Sequence, residues 1–248
     1  RVADLMAKVG LLPDHIDPGA SPAFRDIFLR LRKSQELSEW MCFHTLSMMR
    51  QRHHSDADPD FVLLGRRGIL VLKVVEGHVK RSTDGSWRQL NRRRSSRPVR
   101  LQQGPFKTTS ASMHALRGAM THAFGAEVGE LRFGYGVMLP DMPLFETSSP
   151  EWDRDIVYQG IDRLQPVHRY VQRLSDYWER SGVGKQGLTE SQLTRYEKYL
   201  RANFEVAVPV HSLLSNDTTD LVWFTREQCD ALDLMQENDR ALIGGPAG

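Results

Sequence analysis

Apolar and polar positions are patterned most clearly in the middle of the chain, where two β-branched runs, Phe61–Leu64 and Ile69–Val75, flank Gly65-Arg66-Arg67-Gly68. Glycines at both ends of that spacer allow the positive φ angles a tight reversal needs, so the runs predict a β-hairpin. The second run is apolar on both parities, Ile69, Val71 and Val75 on one and Leu70, Leu72 and Val74 on the other. That predicts a central strand with neither face mainly wet. One cation, Lys73, interrupts it, and a charge in so apolar a strand needs an anion; the nearest in sequence is Asp60, at the start of the partner strand.

Around the hairpin the periodicity changes. A short apolar stretch, Val2–Leu12, predicts a small helix, and Pro13, Pro18 and Pro22 predict an irregular segment after it. Leu37, Trp40, Met41, His44 and Met48 recur at three and four, which predicts an amphipathic helix over 34–50 with Glu39 near its start. A weak run, His78–Lys80, precedes Gly85-Ser86-Trp87. Phe106, Met113, Leu116, Met120 and Phe124 line one face of a predicted helix over 105–124, and Phe133–Leu139 reads as a strand closed by Pro140. The patterns over 153–164, 166–180 and 189–204 predict three further helices, the last capped by Thr189. Thr225-Arg226-Glu227-Gln228 opens a helix, and Arg240–Ile243 predicts a short strand running into Gly244-Gly245-Pro246-Ala247-Gly248.

Composition narrows the function classes. At 248 residues, 40% hydrophobic and 26% charged, the chain reads as an ordinary globular protein. Its net charge is only +2, so affinity for nucleic acid must come from local clustering. That clustering exists: Arg88, Arg92, Arg93, Arg94, Arg97 and Arg100 stand among serines and Asn91, a pattern that predicts a solvated loop and suits contacts to DNA phosphates. Cys42 and Cys229 are far apart in sequence and lie within helix-like patterns, which argues against a disulfide framework and fits a reducing cytoplasm. No apolar run approaches the roughly 18–20 residues of a membrane span, and the N-terminus lacks the pattern of a signal peptide. Asp56, Asp58 and Asp60 imitate the start of a calcium loop, but Phe61 and Arg67 stand where that loop needs Gly and Glu. His53-His54 reads as a solvated helix end.

Ser38-Glu39-Trp40, Asp58-Pro59-Asp60-Phe61-Val62, the strand Gly68–Leu72 and Gly104-Pro105-Phe106, in that order, resemble the nuclease-related domain (NERD). This is a restriction-endonuclease-like PD-(D/E)xK module that in many bacterial proteins precedes a UvrD-like superfamily-one helicase motor. The resemblance covers roughly 34–140. It implies a helix-borne Glu (Glu39), an Asp opening a hairpin (Asp60), a Glu-x-Lys on the second strand, and a Gln on the next helix. Here Lys73 and Val75 occupy the Glu and Lys positions, and Thr108 the Gln position. The family's carboxylates hold Mg²⁺ or Mn²⁺, so a lysine beside Asp60 puts an ammonium where the metal belongs. Glu76 is a candidate migrated carboxylate, although its parity is opposite to that of Lys73.

The tail resembles the entry to a superfamily-one helicase motor: Gln228 as the adenine-reading glutamine, and Gly244 to Gly248 as a Walker A loop cut before its Gly-Lys-Thr end. This implies ATP with Mg²⁺ as the cofactor of a longer chain. The expected fold is therefore α/β: a segment 1–33, a restriction-endonuclease-like domain 34–150, a helical connector 151–220, and the start of a P-loop helicase domain from 221. Three functions remain open on these residues: a DNA-engaging module of a helicase with a degenerate nuclease site, a working metal-dependent endonuclease using Glu39, Asp60, Lys73 and Glu76, or a scaffold coupling the helicase to a protein partner.

Overall fold

The structure, a computed structural model, describes residues 10–13, 16–17, 19–44, 58–82, 84–90, 97–143, 152–182, 184 and 186–207, with side chains as far as 201. The chain divides into two compact units, Arg1–Phe204 and Glu205–Gly248, and both sheets lie in the first. In chain order the described elements are β1 (Gly10–Leu12), α1 (Pro22–Lys33), β2 (Trp40–His44), β3 (Phe61–Gly65), β4 (Gly68–Val74), β5 (His78–Arg81), β6 (Trp87–Leu90), β7 (Val99–Leu101), α2 (Pro105–Phe124), β8 (Phe133–Leu139), β9 (Val157–Gln159), α3 (Val167–Arg180) and α4 (Glu190–Ala207).

Six strands form one mixed sheet in the order β1-β2-β3-β4-β8-β9. β2, β3 and β4 run antiparallel, while β1 lies parallel to β2, and β8 and β9 continue parallel to β4. The class is α/β, and the reason is visible in β3 and β4. Leu63, Leu70 and Leu72 join Ile27, Phe28 and Leu31 of α1 and Val171, Leu174 and Trp178 of α3 in one cluster. Val62, Leu64, Ile69 and Val71 join Met113, Leu116 and Met120 of α2 and Leu193, Tyr196 and Leu200 of α4 in the other. A strand covered by helices on both faces must be apolar on both parities, as these are. The residues that the sequence sets apart as an N-terminal segment and a connector thus contribute β1, α1, α3 and α4 to the same body.

The hairpin forms as expected, with Gly65 paired to Gly68 across Arg66 and Arg67. Only Gly68 needs a positive φ, at 145°. Gly65 serves close approach instead: a Cβ there would meet the Trp40 ring at 2.7 Å. The carbonyls at the tip are also occupied, since the Leu188 N–H donates to Arg66 O (2.8 Å) and the Arg132 guanidinium donates to Arg67 O (2.8 Å).

Four expected elements take another form. The apolar stretch Val2–Leu12 is, in its described part, strand β1 rather than a helix. The helix expected over 34–50 is, in its described part, a 3-10 turn at Gln35–Leu37 followed by strand β2. Cys42 and Phe43 are buried on opposite faces, so packing overrides the helical spacing. The true helix is upstream: α1 has Ser21 as its N-cap, accepting from the Phe24 N–H at 3.2 Å, and Pro22 in its first turn. The pattern over 153–164 resolves into two 3-10 segments around the short strand β9. Finally, the ends of the arginine-rich stretch are not loop: Arg88 lies in β6 and Arg100 in β7, within a separate three-stranded antiparallel sheet ordered β5-β6-β7.

One buried acid ties β9 to α3. Asp162 accepts from the Gln159 N–H at 2.7 Å and from the guanidiniums of Arg154 and Arg173. Burial pushes its carboxyl up, but the Gln159 N–H and the two arginines outweigh that and hold it below the usual carboxylate value.

Candidate functional site

Asp60 immediately precedes β3, and its N–H donates to Leu72 O of β4 (3.0 Å). That bond, and the pairing of Phe61 with Leu72, bring Asp60 beside Lys73 at the open end of the hairpin. The Lys73 ammonium lies 3.3 Å from Asp60 Oδ1 and donates to Asp58 O at 2.8 Å, while Asp60 Oδ2 accepts from the Val74 N–H at 2.6 Å. Both side chains are 18% exposed. The ion pair expected from sequence is therefore present, and both carboxylate oxygens are in use. In geometry this is a lysine anchored by a carboxylate and a carbonyl, an arrangement that neutralises the charge within the strand pair.

The other residues of the expected nuclease set are not gathered here. Glu39 is exposed in the turn before β2, not on a helix. Trp40 pairs with Gly65 and His44 with Phe61, so Glu39 and Asp60 stand at opposite ends of β3. Six strand steps at about 3.4 Å separate them by roughly 20 Å, too far to share one ion. Val75 packs against the core, and its N–H continues the ladder to Met138 O (2.8 Å). Glu76 follows the end of β4, where Gly77 turns the chain at φ 77° and donates its N–H to Asp141 (2.8 Å). The Glu76 carbonyl accepts from Gln89 of β6 (2.6 Å). Thr108 lies in the first turn of α2 and donates its hydroxyl to Gly104 O (3.1 Å), a local bond within the helix start. Among the described residues, no group of three His, Cys, Asp or Glu comes together to hold a metal ion. With Asp60 engaged by Lys73 and the Val74 N–H, the described residues do not form a Mg²⁺ or Mn²⁺ site there.

The second candidate surface is the small sheet. Trp87 of β6 packs against Phe106 of α2 and against Trp152, ring centroids 5.8 and 5.4 Å apart, and Phe106 stacks on Trp152 at 5.0 Å. This aromatic knot fastens the sheet to α2 and explains the Gly-Pro-Phe sequence: a Cβ at Gly104 would run into the Trp87 indole. With Val79, Trp87 and Leu101 turned toward the core, the opposite face carries Lys80, Arg88 and Arg100, all exposed and directly paired across the strands. Sequence reasoning singles out Arg88 and Arg100 but misses Lys80. The strand register that unites the three is invisible when the stretch is read as a loop. Arg97, two positions before β7, is also exposed. Arg92, Arg93 and Arg94 lie outside the described residues, as do His53, His54, Asp56, Gln228 and the run Gly244, Gly245, Pro246, Ala247, Gly248.

Among the described residues no helix is long and apolar enough to cross a membrane. No protein-family model, no curated protein and no solved structure matches this chain.

Proposed function

We propose that Arg1–Phe204 is a nuclease-related, DNA-engaging module in which an internal ion pair has replaced the catalytic metal. The observation that carries this reading is the Lys73 ammonium bonded to Asp60, the carboxylate that opens the hairpin. The order of hairpin, helix and a further strand that lies parallel to the hairpin's second strand supports a restriction-endonuclease-like ancestry. The arginines at 88, 97 and 100 support DNA as the partner, through phosphates and with little base preference. In the same reading the tail, with Gln228 and the glycine-rich run to Gly248, opens an ATP- and Mg²⁺-dependent helicase motor that the nuclease-like module serves.

The test is a plasmid-nicking assay with Mg²⁺ and with Mn²⁺, run beside a DNA-binding titration. The expected result is binding without cleavage. Cleavage by the unaltered chain that disappears in Asp60→Ala overturns the proposal and makes this a metal-dependent endonuclease; absence of any DNA binding removes the DNA-engaging role and leaves a protein scaffold.

A further inference from the structure

Like charges placed directly opposite one another on a sheet face repel, and ordinary sheets intersperse them with acids. Lys80, Arg88 and Arg100 break that rule twice over, because Lys80 pairs with Arg88 and Arg88 with Arg100 across three adjacent strands. At about 4.8 Å between strands, the three cations form a row about 10 Å long. Among the described residues none of the three is held in an ion pair; the nearest compensation is Asp84 in the β5–β6 turn. Its carboxyl is held below the usual value first by the Ser86 hydroxyl and N–H, then by Arg100 and Arg88. One acid, acting on Arg100 and Arg88 of a row of three cations, leaves a net positive strip.

The row also leads somewhere. Arg100, at its end, forms one wall of an open cleft of about 1070 Å³ between β7 and α2. The cleft is lined further by Asp84, Gln102, Gln103, Lys107, His114 and Tyr135, a mixture of acid, amide, cation and aromatic ring. Its volume is comparable with that of small-molecule sites, roughly 300–1,000 Å³.

We propose that the outer face of the three-stranded sheet holds successive phosphates of one nucleic-acid strand on Lys80, Arg88 and Arg100, and that the adjoining cleft receives an unpaired base. The row supplies the backbone charge, and the cleft supplies the exposed His114 ring to stack on and the amides of Gln102 and Gln103 to meet base edges. A paired base is held in its stack and cannot enter, so the surface prefers single strands to duplex. This deepens the function proposed for the module and rests on it for the choice of DNA.

The experiment is fluorescence anisotropy on the whole 248-residue chain, with a labelled single-stranded oligonucleotide and a hairpin duplex of equal length, over a salt series. Each phosphate neutralised contributes about −0.7 to the slope of log affinity against log salt for single strands. The triple variant Lys80→Gln, Arg88→Gln, Arg100→Gln is expected to flatten that slope by about 2 units. Ala111→Leu, which fills space at an exposed position on the cleft wall without adding a ring for a base to stack on, is expected to lower single-strand affinity about tenfold and leave duplex affinity unchanged. Thermal melting of both variants checks that the fold is retained. Binding by the wild type with an unflattened slope in the triple variant overturns the assignment of this face, yet leaves the DNA-engaging module standing. Equal affinity for duplex, or no effect of Ala111→Leu, overturns the base-binding cleft. No binding of either oligonucleotide by the wild type overturns the DNA reading itself.

Discussion

Lys73 and Arg88 are both cations on strands, but their settings differ in every respect that matters energetically. Lys73 sits on the central strand of the large sheet, 18% exposed, with a carboxylate and a carbonyl supplied by the neighbouring chain segment. Arg88 sits in the middle of the small sheet, exposed, with a cation paired on either side. A charge satisfied within the fold belongs to stability and is lost to outside partners. A charge left repelling its neighbours weakens its own sheet and is available to an external anion. Breaking the first arrangement is therefore expected to destabilise the protein, and removing the second charge is not.

The largest effect is expected from Asp60→Ala, which leaves Lys73 without its counter-ion in an apolar strand and is expected to cost about 3 kcal/mol in urea unfolding. Asp60→Ala combined with Lys73→Met is expected to recover the part of that loss that comes from the unpaired charge, while the Val74 N–H and Asp58 O still lose the bonds these side chains gave them. A double variant as unstable as the single one would show that the pair orders the hairpin by some route other than charge. Next comes Asp162→Asn, expected to cost about 2 kcal/mol, because hydrogen bonds from two guanidiniums and a backbone N–H then meet a neutral acceptor. The Asp162 carboxyl lies below its unfolded value in the folded protein. Its contribution is therefore complete above the ordinary carboxylate pKa of about 3.9 and disappears as pH falls through the lower folded value. Unfolding midpoints measured from pH 6 to pH 2 should fall more steeply for the wild type than for Asp162→Asn.

The smallest effect has the opposite sign. Arg88→Gln is expected to raise stability by about 0.2–1 kcal/mol, as the middle charge of the row is removed. The gain should shrink as salt screens the remaining repulsion, over a Debye length of about 10 Å at 0.1 M. Calorimetric melting at low and high salt reads both the sign and its decay. Destabilisation by Arg88→Gln would mean that the row is compensated within the chain, and the contrast with Lys73 would collapse.

The elements legible in the sequence are those whose local pattern and tertiary role coincide. The β3–β4 runs are apolar on both parities because helices cover both faces, and α2 combines a Pro start with helical spacing. The pairing of Lys73 with Asp60 is legible for the same reason, as a buried cation demands an anion within reach. The region 34–44 misleads because Leu37, Trp40, Met41 and His44 match helical spacing, while the information that makes a strand of Trp40–His44 lies in its neighbours β1 and β3. With that strand, Glu39 moves to the far end of β3 from Asp60. Lys80 escapes notice because cross-strand register is set by pairing partners rather than by spacing along the chain.

The clasp on the β3–β4 turn bears on how the protein assembles. A two-residue hairpin ordinarily forms within microseconds from local contacts. Here Arg67 O is held by Arg132, 65 positions away, and Arg66 reaches Glu190, 124 positions away. Closing such loops carries an entropic cost before any contact is made, and contacts of this separation slow folding. The hairpin can zip early, but its tip cannot lock until the strand after α2 and the start of α4 have arrived. In pulsed hydrogen exchange the Leu188 amide, which donates to Arg66 O, should therefore gain protection late and together with the whole sheet, a reporter of completed topology rather than of the turn beside it.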